Sequence, residues 1–154
     1  MIGIGEVLLP DRVNLALSST EKAEAINEVV IRLRGDSRVI DWDVLDKAVL
    51  ERDAPAIVSC GQGLCIAHGR TNAVSTLVMA AGRSDSGISF PGVDVPVRLI
   101  FVAGIPGPMS SEYLRLMGVI VRVCRDERLF QKILSAKDTA KFVEIFQSEE
   151  NRLT

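Results

Sequence analysis

The sequence is poor in the side chains that most often carry chemistry. One histidine, three cysteines, one tryptophan and one tyrosine are spread over 154 residues. A single histidine cannot build a His-rich metal centre, so any imidazole chemistry must pass through His68. Three cysteines are an odd number, with Cys60 and Cys65 close together and Cys124 far away. That is no disulfide framework, and a reducing cytoplasm is the simpler expectation. Charge of one sign is also missing: 18 Lys and Arg face 20 Asp and Glu, a formal charge of −2. A nucleic-acid binder would show a basic surplus or stripe. Long apolar runs are absent as well. The two most apolar segments, 97–105 and 114–124, are short or interrupted by Arg98, Arg115 and Arg122, well below the roughly 20 residues of a spanning helix. Met1 to Glu6 has no basic stretch before a long apolar run, so it is not expected to be a signal peptide. With no internal repeat, low-complexity tract or Pro/Ser-rich linker, one domain over residues 1–154 is expected, long enough for a sizeable core.

What is present alternates between helix and strand. Ser18 and Glu21 have the spacing of a capping box. Ile26, Val29, Val30 and Leu33 then form an amphipathic stripe, with Gly35 as its stop. Trp42, Leu45 and Val49 mark a second helix from about Asp41 that runs out at Arg52-Asp-Ala-Pro55. Ile57 to Cys60 and Leu64 to Ala67 read as short strands around the turn Gly61-Gln62-Gly63. Val74 to Ala81 and Val97 to Ala103 read as buried strands, with turns at Gly82 to Gly87 and at Phe90-Pro-Gly92. The last third is helical, and Leu114, Met117, Val121 and Cys124 read as its ordinary core stripe. The expected architecture is an α/β sandwich, a mixed sheet of about five strands covered by helices.

His68 is the sharpest feature. It ends a strand-like stretch and precedes Gly69-Arg70-Thr71, where a side chain can be held rigidly and still reach solvent. A neutral imidazole offers one nucleophilic nitrogen, and Arg70 can grip an anion with two parallel hydrogen bonds. The chemistry this suggests is phosphoryl transfer through a phosphohistidine. From the residues by themselves, a structural histidine beside a turn is an equal reading. Cys60, Cys65, His68 and Cys124 fit no common zinc spacing, and Cys65 with His68 lacks an orienting carboxylate for nucleophilic catalysis. Gly61-Gln62-Gly63 lacks the lysine and spacing of a nucleotide phosphate loop.

The segment Gly63-Leu-Cys-Ile-Ala-His68-Gly-Arg-Thr71 resembles the active-site segment of phosphotransferase-system enzyme IIA domains of the fructose/mannitol type, which include the nitrogen-regulatory IIA proteins. Their pattern reads roughly G-I-A-I-P-H-G-R. The resemblance covers nearly the whole chain. Lys22-Ala-Glu-Ala-Ile26 resembles K-x-E-A-I, and Leu50-Glu-Arg52 resembles the L-x-R-E segment. Ala81-Gly-Arg-Ser84, Gly87-Ile-Ser-Phe90, Pro96-Val97, Leu99 to Pro106 and Glu112-Tyr-Leu114 follow in order.

The resemblance implies the fructose/mannitol-type IIA fold, and a His68 phosphorylated by HPr or a similar phosphohistidine carrier. The group would pass to a cysteine of a IIB domain on a separate chain, or act as a mark controlling a transporter or kinase. It implies that Arg52 is the active-site arginine, that Arg70 assists, and that no cofactor or metal is required. Neither nucleic acid nor direct membrane insertion is expected. Three departures stand out. Ala67 replaces the usual proline, Ser59 is the nearest substitute for an upstream hydroxyl, and Tyr113 replaces the usual second histidine. A tyrosine donates one hydrogen bond but cannot become cationic at neutral pH. The alternative is therefore a IIA-like binding module that regulates its target without being phosphorylated.

Overall fold

The computed structural model describes residues 1–50, 56–58 and 63–154, with backbone only for 56–58. Helix α1 (Ile4–Val7) and strand β1 (Val13–Asn14) lead into helices α2 (Lys22–Val30) and α3 (Trp42–Leu50). Strands β2 (Ala56–Val58), β3 (Leu64–Arg70), β4 (Val78–Ile88) and β5 (Val97–Ile105) follow, and helices α4 (Ser110–Arg125), α5 (Glu127–Ser135) and α6 (Thr139–Leu153) close the chain. The sheet order is β1-β4-β5-β3-β2. β1 runs parallel to β4 and β3 parallel to β5, whereas β4–β5 and β2–β3 are antiparallel. This is the expected five-stranded mixed sheet with helices on both faces, although β1 contributes only two residues.

Strand alternation divides the interior in two. Leu64 and Ile66 of β3, Met79 and Ala81 of β4, and Leu99, Phe101 and Ala103 of β5 pack against α1, α4, α5 and α6. Cys65 and Ala67, Val78 and Ala80, and Ile100 and Val102 point the other way, against α2 and α3. The aromatic weight lies on the first face, where Phe101, Phe142 and Phe146 form a cluster with ring centroids 5.4–6.4 Å apart. On the second face α3 lies almost on the backbone of β3. A Cβ on Gly69 would meet the Ala48 carbonyl carbon at 2.8 Å, so only glycine fits there.

Several local expectations changed. Ser18 and Glu21 form no capping box. Ser18 and Ser19 instead bind the Glu28 carboxylate, 2.6 Å from the Ser19 hydroxyl, and α2 begins after an extended Glu21. Residues 82–87 do not form a turn between two strands, because β4 runs through them with an irregular register between Arg83 and Ile88. Val74 makes only an isolated bridge to Val39. The turn at Phe90 is present, closed by Val93 N–H to the Phe90 carbonyl at 3.1 Å, with Gly92 at φ +77°. The expected end of α3 at Arg52 to Pro55 and the turn at Gly61-Gln62 lie outside the described residues. No helix among the described residues is long and apolar enough to cross a membrane.

A buried carboxylate ties the N-terminal third together. Asp36 accepts hydrogen bonds from Arg38 Nη2 at 2.7 Å and Arg12 Nε at 2.8 Å, and Arg38 also donates to the Val7 carbonyl. The hydrogen bonds from Arg38 above all, with those from Arg12, outweigh burial and hold the Asp36 carboxyl well below the usual carboxylate range. A depressed native pKa contributes stability above the unfolded value, and that stability is lost as pH falls below it. Urea unfolding should therefore show a wild-type stability that declines as pH falls below about 4. Asp36→Asn should cost about 3 kcal/mol at neutral pH and flatten that decline; an equally steep acid limb in the variant would exclude Asp36 as its source.

Candidate functional site

The site forms where the C-terminal end of β3 meets the first turn of α4. His68 and Arg70 stand two apart on β3 and so point to the same face, the one that carries α4. β5 leads through Pro106 into a short 3-10 turn, Gly107–Met109, and then into α4. Its first turn places Ser110 and Tyr113 three residues apart on one side of the helix. His68, Arg70, Ile105, Ser110, Tyr113 and Leu114 together line a cavity of about 380 Å³.

Within it, the Tyr113 Oη lies 3.3 Å from His68 Nδ1, and the two rings are tilted with centroids 5.2 Å apart. Tyr113 is only 5% exposed and belongs to the core under α4, whereas His68 is half-buried. The contact links the imidazole tautomer to its chemistry. With the proton on Nδ1 the ring donates to Tyr113 Oη and its lone pair lies on Nε2; with the proton on Nε2, the tyrosine hydroxyl donates to Nδ1. Arg70, exposed at the strand end, donates from Nη2 to Ser110 Oγ at 2.5 Å, and Ser110 Oγ donates to the Gly107 carbonyl at 3.1 Å. An imidazole and a guanidinium thus share one small cavity, and a guanidinium can give a phosphate or carboxylate two parallel hydrogen bonds.

Of the residues singled out in the sequence, the structure brings together His68, Arg70 and Tyr113. Arg52 and Ser59 lie outside the described residues. Cys65 and Cys124 are buried on opposite sides of the sheet, so neither can join the other in a ligand set with His68. Burial pushes the Cys65 thiol up to about 12, which keeps it protonated. Cys60 is outside the described residues, and among those described no group of three or more His, Cys, Asp or Glu gathers as a metal ion would need. Sequence reasoning missed three lining residues, Ile105, Ser110 and Leu114. Ser110 had a signal, since it stands three before Tyr113 at a helix start. Leu114, expected in the core stripe, is 59% exposed. The buried stripe of α4 is Tyr113, Leu116, Ile120 and Val123, with Val119 and Cys124 beside it, one position out of phase with the expected one.

The sequence model of the family described as phosphoenolpyruvate-dependent sugar phosphotransferase system, EIIA 2, matches residues 6–149. The chain is 33% identical over 129 residues to the PTS system fructose-specific EIIA component of Haloferax volcanii, an alignment covering 80% of this chain and 84% of that one. The crystal structure of the nitrogen regulatory protein IIA-Ntr from Neisseria meningitidis superposes with a TM-score of 0.80 at 22% identity, over 93% of this chain and 98% of that one. Enzyme IIAMtl of Escherichia coli, solved in complex with phosphorylated enzyme IIBMtl, superposes with a TM-score of 0.74 at 15% identity, over 90% and 95%.

The Tyr113–His68 contact is open to direct measurement. Tyr113→Phe removes the hydroxyl and should cost about 1 kcal/mol of stability, while the 15N shifts of the His68 ring move as the tautomer balance changes. Ring shifts identical to wild type would show that Tyr113 does not set the tautomer.

Proposed function

The chain belongs to the EIIA 2 family of the phosphoenolpyruvate-dependent sugar phosphotransferase system, and on that premise we propose that His68 accepts a phosphoryl group from the phosphohistidine of an HPr-type carrier. The observation that supports this best is the convergence of His68, Tyr113 and Arg70 on one cavity. In the reactive tautomer Nδ1–H donates to Tyr113 Oη, and the Nε2 lone pair attacks phosphorus. The new N–P bond forms as the N–P bond of the carrier breaks in line, and the carrier's ring nitrogen keeps the bonding electrons. Little beyond positioning and charge stabilisation is then asked of the protein. The group adds about two negative charges; Arg70 faces it from the cavity wall, and Arg52, assigned by the resemblance, supplies a second guanidinium.

From His68 the group passes to the cysteine thiolate of a IIB domain on a separate chain, with the protein acting as a phosphotransferase without cofactor. Alternatively, the phosphorylated state regulates a transporter or kinase by contact. In both roles the chain acts as one EIIA-like unit in the cytoplasm. One observation favours a second reading. Tyr113 stays neutral where a histidine could become a cation, so less positive charge faces the phosphoryl group. Together with Ala67 in place of proline, that supports a module that binds its target without being phosphorylated.

Incubation with phosphoenolpyruvate, enzyme I and an HPr-type carrier should add the mass of one acid-labile phosphoryl group to wild type and none to His68→Ala. An adduct on both proteins would remove His68 from the role, and no adduct with several carriers would favour the non-phosphorylated module. Tyr113→His should speed transfer about tenfold, in line with the gain from a charged hydrogen-bond donor. Unchanged kinetics in that variant would show that the tyrosine imposes no penalty.

A further inference from the structure

We infer that Ser110 is a positioning residue, which fixes the Arg70 guanidinium over the His68 cavity; this rests on His68 being the phosphoryl acceptor. Arg70 is the last residue of β3 and exposed. A long flexible side chain at a strand end would otherwise sample many rotamers. Its Nη2 instead donates to Ser110 Oγ at 2.5 Å. Guanidinium has donors only, so at this contact the serine oxygen must be the acceptor. The one hydroxyl proton is then directed elsewhere, and the Gly107 carbonyl receives it at 3.1 Å. Both ends of the relay are fixed by backbone: Gly107 in the turn before α4, and Arg70 in register with Ile105 of β5.

The arrangement is a two-point clamp. His68 and Arg70 repeat at the strand period of two, while Ser110 and Tyr113 repeat at the helix spacing of three, each pair on one face. Tyr113 meets His68, and Ser110 meets Arg70. The first turn of α4 therefore orients the nucleophile and the guanidinium together. Without the hydroxyl, Arg70 keeps its charge and loses its place, so the loss falls on the transition state rather than on carrier docking.

Ser110→Ala should slow phosphorylation of His68 by about tenfold, the effect of removing one charge-assisted hydrogen bond from an oriented donor. It should do so through kcat, with KM for the phosphorylated carrier unchanged, and Ser110→Thr should restore the rate. In an Arg70→Ala background Ser110→Ala should add nothing, because the serine acts through the arginine. The Arg70 Nε–H resonance should be sharp in wild type, broaden in Ser110→Ala and sharpen again in Ser110→Thr. A wild-type rate in Ser110→Ala, or full additivity with Arg70→Ala, would overturn the role of Ser110 while leaving His68 as acceptor. If wild type takes up no phosphoryl group, the acceptor reading falls and the part Ser110 plays in transfer falls with it. An unchanged Arg70 resonance in Ser110→Ala would remove the anchor itself.

Discussion

The parallel register of β3 against β5 governs everything at the site. It sets His68 beside Ala103 and Arg70 beside Ile105, and the Thr71 N–H closes the ladder on the Ile105 carbonyl at 2.9 Å. Because β5 runs directly into Pro106 and α4, the helix start is delivered to the strand end that needs it. A slip of one residue would turn His68 and Arg70 to the α3 face. Gly69 guards against that: α3 leaves no space at its position for a side chain of any kind.

The sequence made the broad fold legible because its signals were local and repeated. The stripe Ile26, Val29, Val30 and Leu33, the apolar run of β5 and the positive-φ glycine at Gly35 all behave as patterning dictates. Where patterning failed, tertiary contacts had won. Gly82 to Gly87 carries turn residues, yet Arg83 is drawn inward to donate to the Ile133 and Ala136 carbonyls at the end of α5, and the strand continues around it. Cys124 is buried as expected, but the α4 stripe is shifted by one position because Leu114 is apolar, and periodicity does not distinguish a core residue from one that borders a cavity.

The site itself was legible in part. His68 and Arg70 declare themselves by chemistry and by sharing a strand face, whereas Tyr113 needed the family resemblance to be noticed. Ser110 gives only a weak signal, its spacing of three from Tyr113, since a serine at a helix start is normally an end cap. Only the three-dimensional placement of the β3 terminus gives it an ionic neighbour. By contrast Arg83, within one of the blocks that resemble the family, serves the architecture: its guanidinium satisfies helix carbonyls that would otherwise be buried without donors.

The partition of the interior has an evolutionary consequence. The core under α4, α5 and α6 and the core under α2 and α3 are separated by the sheet, and communicate mainly through its backbone. Substitutions that repack one layer can accumulate without asking the other to adjust, since coupling between side chains is largely a matter of contact. The layer bearing the site can stay constrained while the opposite layer drifts, and lineages can diverge widely in sequence with the same strand order preserved.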